Sequence, residues 1–147
     1  MAEEFQQRVR PLVERVLEPG EELAGICAAT QVGIFKGSLL ALGVTDRRLV
    51  LQRLDRKIAA DGEPVSITAA EIASAGAEGL SGGWPNLAAA VADRAGVTLK
   101  LRTTDGEKRK LMMMRGGAGT LGKLGGGEAQ QEGVEALARW FEAIEPG

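Results

Sequence analysis

Val97-Thr-Leu-Lys-Leu-Arg-Thr-Thr104 runs into Asp105-Gly106 and returns as Glu107-Lys-Arg-Lys-Leu-Met-Met-Met114. Two apolar-rich stretches flanking Asp-Gly predict a β-hairpin, because that dipeptide favours the two-residue type I′ turn, whose central residues both need positive φ. With that turn Thr104 pairs with Glu107, Arg102 with Arg109, Lys100 with Leu111 and Thr98 with Met113, all on one face. Val97, Leu99, Leu101, Met112 and Met114 then point inward. A one-residue slip would exchange the faces, so the register is a sharp expectation. It puts Lys100, Arg102 and Arg109 together on the outer face, with two arginines directly opposed unless an anion or a carboxylate sits between them. Leu111 and Met113 would lie outside too, as an apolar contact for a partner or a second copy.

Working outward, residues 22–31, 38–44 and 48–54 are short apolar runs separated by turn signals, the rhythm of antiparallel strands. Gly33-Ile-Phe-Lys-Gly37 is a glycine-bounded loop, and Thr45-Asp46-Arg47 is a tight turn. In the third run Leu49 and Leu51 share one face while Val50 and Leu54 share the other, so both faces are expected to be covered. Weaker strands are expected at 64–67 and 71–78. Gly82-Gly83 then opens an excursion, 84–94, in which Leu87, Ala88, Val91 and Ala92 recur at helical spacing with Asn86 as N-cap.

Beyond the hairpin, a glycine-rich stretch leads to a helix over 128–144. Val134, Leu137, Ala138, Phe141 and Ile144 form its apolar stripe, with Trp140 at the border. At the other end of the chain Phe5, Val9, Leu12, Val13, Val16 and Leu17 form a second helical stripe over 3–17. Pro11 lies inside it at a cost of about 3 kcal/mol, which predicts a kink or a fresh start there. Pro19-Gly20 ends it.

The order is a helix, five strands, a helical insertion, two strands and a closing helix. That order resembles the pleckstrin-homology-like (PH-like) superfold, and three phrases are similar to those of bacterial PH-like domains: Glu18-Pro-Gly-Glu-Glu22, Val44-Thr-Asp-Arg-Arg-Leu49 and Thr104-Asp-Gly-Glu-Lys108. The resemblance covers residues 19–145. It implies a mainly β (α+β) fold, a seven-stranded antiparallel barrel or sandwich capped by a C-terminal helix. Residues 1–18 form an extra helix before the domain at 19–147, and the short helical insertion precedes strand six. It also implies a binding module rather than an enzyme. Lipid-binding PH domains commonly carry basic residues between strands one and two and along strand two; here residues 32–44 hold only Lys36.

Composition removes whole classes of chemistry. The chain has 147 residues, 44% of them hydrophobic, with no histidine and no tyrosine, so an imidazole base, an imidazole zinc ligand and a phenol are absent. The single cysteine, Cys27, cannot form an intrachain disulfide, and no charged neighbour in sequence lowers its pKa. It reads as a small buried strand residue. No signal-peptide core and no long apolar run is evident, which predicts a cytoplasmic protein, with peripheral membrane attachment left open. A net charge of −2 argues against nucleic acid as a partner.

Two other features invite a functional reading. Gly117-Ala-Gly-Thr-Leu-Gly-Lys123-Leu124 fits the phosphate-loop pattern, yet Leu124 stands where that motif needs Ser or Thr for magnesium, and no parallel βαβ unit surrounds it. Phe35 and Lys36 sit at a loop tip, where an apolar ring beside a lysine suits an interface with a membrane or a groove. The candidate ligand-binding residues are therefore Lys100, Arg102, Arg109, Phe35 and Lys36. No catalytic residue, metal or cofactor is expected. A protein partner or self-association is the leading expectation, ahead of an anionic membrane surface.

Overall fold

A computed structural model of the chain describes residues 2–31, 38–55, 59–78, 84–87, 89, 97–113 and 127–144. Helix α1 (Ala2–Glu14) precedes strands β1 (Leu23–Gln31), β2 (Ser38–Thr45), β3 (Arg48–Arg53), β4 (Val65–Thr68) and β5 (Ile72–Glu78). Strands β6 (Val97–Thr103) and β7 (Lys108–Met113) follow, and helix α2 (Gly127–Ile144) closes the chain. All pairings are antiparallel, in the order β4-β3-β2-β1-β7-β6-β5. The mainly β architecture with a helix at each end is the one expected from the sequence. In the insertion Trp84–Asn86 form a single 3-10 turn and Leu87 and Ala89 are helical; the remainder lies outside the described residues.

β1 to β3 are covered on both faces, which is why they read as nearly continuous apolar runs rather than as strict alternation. On one face Cys27, Ala29, Leu40, Leu42, Leu49 and Leu51 join Leu99, Leu101, Leu111 and Met113 from the other half of the sheet, together with Val134, Leu137 and Phe141 of α2. On the opposite face Ile26, Ala28, Ala41, Val50 and Leu54 pack with Val9 and Val13 of α1. Leu49 and Leu51 thus part from Val50 and Leu54 as their spacing predicts. Burial pushes the Cys27 thiol up to about 12, so it stays protonated near neutral pH and inert as a nucleophile.

The described rings gather around α2. Phe141 stacks on Trp84 with centroids 4.4 Å apart, and Trp140 meets Phe141 edge-on at 5.3 Å. α2 reaches its seat through glycine. A Cβ built on Gly133 would lie 2.2 Å from the Ile26 carbonyl oxygen, and one on Gly25 would lie 3.0 Å from the Ala136 Cβ. Helix and strand backbones are in direct contact there.

α1 runs unbroken through Pro11 and stops at Glu14, earlier than the expected end at Leu17. The Val16 N–H donates to Val13 O and the Leu17 N–H to Glu14 O, bonds that tighten the last turn and turn the chain toward β1. A buried clasp then fixes it. The Arg48 guanidinium donates to both Glu21 carboxylate oxygens, at 2.9 and 2.8 Å, and to the Val16 carbonyl at 2.7 Å. The Thr45 hydroxyl lies 2.7 Å from the same carboxylate and accepts from the Arg47 and Arg48 amides. Arg48, with help from Thr45, holds the Glu21 carboxyl at about 2 against the cost of burial.

Candidate binding surface

The hairpin between β6 and β7 forms where the sequence places it, but its register is shifted by one residue. Arg102 pairs with Lys108, Leu101 with Arg109, Lys100 with Lys110, Leu99 with Leu111 and Thr98 with Met112. The turn is the cause. The Thr103 N–H donates to Glu107 O, the Gly106 N–H donates back to Thr103 O, and Gly106 has φ +92°. That is a three-residue connection ending in a left-handed glycine, the other common way to close a hairpin. Asp105 holds it by accepting from the Thr103 hydroxyl and, at 3.1 Å, from the Glu107 amide. The same two bonds lower its carboxyl below the ordinary range.

The slip exchanges the faces of β7. Leu111 and Met113 are fully buried, not an external apolar contact, and Met112 takes the partly exposed outer place. Arg109 does not stand opposite Arg102. It shares the inner side with Leu101, where its side chain is 18% exposed and donates to Gln31 Oε1 at 3.0 Å and Glu107 Oε2 at 3.1 Å.

Lys100 and Arg102 remain on the outer face, and the residues opposite them are Lys110 and Lys108. All four are exposed. The face therefore carries two like-charge rungs on adjacent strands, with Ser74 and Gly76 of β5 beside them. A Cβ on Gly76 would meet nothing within 4 Å, so that flank is open. Glu78 pairs with Lys100, and its carboxyl is lowered by that contact, with a weaker pull from Lys110. Among the described residues no other carboxylate pairs with Lys100, Arg102, Lys108 or Lys110. Lys108 and Lys110 escaped the sequence reading for one reason, the choice of turn.

A second feature lies at the end of the sheet where β1 leaves β7. A cavity of about 160 Å³ is floored by Leu40, Leu51 and Val65 and rimmed by Gln31, Arg53, Asp61, Glu63 and Arg109. Ligand pockets typically span about 300–1,000 Å³, so this one is small. Its cations are also answered locally, Arg53 by Asp61 and Arg109 by Glu107. The rim carries both signs, whereas the outer face of β6 and β7 carries one.

Phe35 and Lys36 lie outside the described residues, as does the loop from Gly117 to Lys123. No described helix is long and apolar enough to cross a membrane.

No family model matches the chain, and no curated protein does. Among solved structures it is similar to the hSac2 domain from human phosphoinositide phosphatase Sac2, with a TM-score of 0.54 and 9% identity over 97% of this chain and 80% of that one. It is also similar to the C-terminal domain of an unknown protein from Leishmania infantum, with a TM-score of 0.42 and 18% identity over 73% and 78% of the two chains. The first likeness concerns the fold alone.

Proposed function

We propose that the chain is a noncatalytic PH-like binding module that docks an acidic partner on the outer face of β5, β6 and β7. The observation that carries this reading is the pair of like-charge rungs, Lys100 opposite Lys110 and Arg102 opposite Lys108. Like charges directly opposed on a sheet destabilise it, and Glu78 offsets only part of that repulsion. A carboxylate-rich partner laid across the rungs removes the remainder. Because the contacts are exposed, each contributes about 0.2–1 kcal/mol, so the binding is weak to moderate, fast to form and salt-sensitive.

The test is calorimetric titration of the full chain with poly-L-glutamate. Binding that weakens steadily as salt rises is the expected result. Absence of binding at low salt overturns the proposal. A parallel titration with magnesium and ATP addresses the phosphate-loop alternative, and saturable binding lost in Lys123→Ala would replace this reading with that one.

A further inference from the structure

Resting on that reading, we infer that the acidic partner is a second copy of this chain, which presents the exposed stripe of α2 to the basic face. Glu132, Glu135 and Glu142 are all exposed on α2, while Val134, Leu137 and Phe141 face the core. At 100° per residue the three glutamates and Arg139 fall within one narrow stripe, and Arg139 is the sole cation in the helix. Among the described residues none of the three glutamates has an ion-pair partner. One chain of net charge −2 thus carries a mainly acidic stripe on its closing helix and, on its last hairpin, a basic face that Glu78 answers only at Lys100.

The dimensions agree. Glu132 and Glu135 are three residues apart, about 4.5 Å along the axis. The two basic rungs are about 7 Å apart along the strands and their members about 5 Å apart across them. A helix laid on this face places both carboxylates within reach of four cations at once, and the open flank at Gly76 leaves room for its backbone. The two surfaces differ, so the contact is heterologous: the basic face of one copy meets the acidic stripe of the next.

Sedimentation velocity on the full chain tests this. The wild type should associate reversibly near 0.01 M salt and dissociate near 1 M, as the Debye length falls from about 30 Å to about 3 Å. Lys108→Glu/Lys110→Glu and Glu132→Lys/Glu135→Lys should each weaken self-association by about tenfold or more. Mixed together, the two variants should sediment as a complex, since each supplies the surface that the other has lost. Matching thermal melts establish that both are folded, and Lys→Gln and Glu→Gln versions serve where they do not match. A wild type that stays monomeric at low salt at the highest soluble concentration overturns the inference, and so does a mixture that fails to associate. If the wild type is monomeric yet still binds poly-L-glutamate, the binding surface stands and only self-recognition falls.

Discussion

The two helices are seated on opposite faces of β1 and β2 by different means. α2 touches backbone with backbone: Gly133 lies against the Ile26 carbonyl, and Gly25 admits Ala136. α1 touches with side chains, since the gap above Gly43 is filled by Val13, whose Cγ1 would stand 2.7 Å from an added Cβ. α1 is then fastened at its end by Arg48 reaching Val16 O and Glu21. A close backbone seat has no side chain that can move aside, whereas a side-chain seat can adjust. That difference sets the size of each expected effect.

The largest effect should come from Gly133→Ala. Its Cβ would collide with the Ile26 carbonyl carbon at 2.5 Å and the Cys27 nitrogen at 2.9 Å, all main chain. α2 must lift, and urea denaturation should register a loss of about 3 kcal/mol or more. An unchanged midpoint would dissolve the distinction between the seats. Next is the clasp. Arg48→Met strands the buried Glu21 carboxylate and should cost about 3 kcal/mol, because removing one partner of a buried pair leaves a charge without its counter-ion.

The clasp also fixes an acid limb. The Glu21 pKa is lowered from 4.5 to about 2, so its contribution is present above about pH 4.5 and is lost as pH falls toward 2. Thermal melts across that window should show a steeper loss for the wild type than for Glu21→Gln. Parallel curves would contradict the assignment.

Smaller again, Gly43→Ala should cost about 1–2 kcal/mol, and Val13→Ala should recover part of it in the double variant. Simple additivity would mean that Val13 is not what occupies the gap. Smallest of all, Glu78→Gln should lower the urea midpoint only slightly, because the exposed Glu78–Lys100 pair offsets only part of the repulsion between the two rungs.

Strand positions were legible in the sequence because turn residues bracket each apolar run; β1 to β7 lie within one or two residues of their expected bounds. The hairpin register was not. Asp-Gly serves both a two-residue and a three-residue turn, and the choice rests on the Thr103 and Asp105 side-chain bonds. The run from Leu111 to Met114 offers no polar residue to mark its outward face. One unread turn therefore moved Arg109 off the surface and brought Lys108 and Lys110 onto it. The clasp was half legible: Glu18-Pro-Gly-Glu-Glu22 and Val44-Thr-Asp-Arg-Arg-Leu49 stood out as phrases, but only the fold brings Glu21 to Arg48. The seat at Gly133 left no mark, since one glycine in a helix looks like any other in a chain with 21 of them.

The central claim is that the working cations are those of the outer face. Titrating poly-L-glutamate into Lys108→Gln/Lys110→Gln and, separately, into Arg109→Gln tests it most directly. The paired variant should lose about tenfold or more in affinity and Arg109→Gln should bind like the wild type. Loss in Arg109→Gln with retention in the paired variant would contradict both the register and the surface built on it.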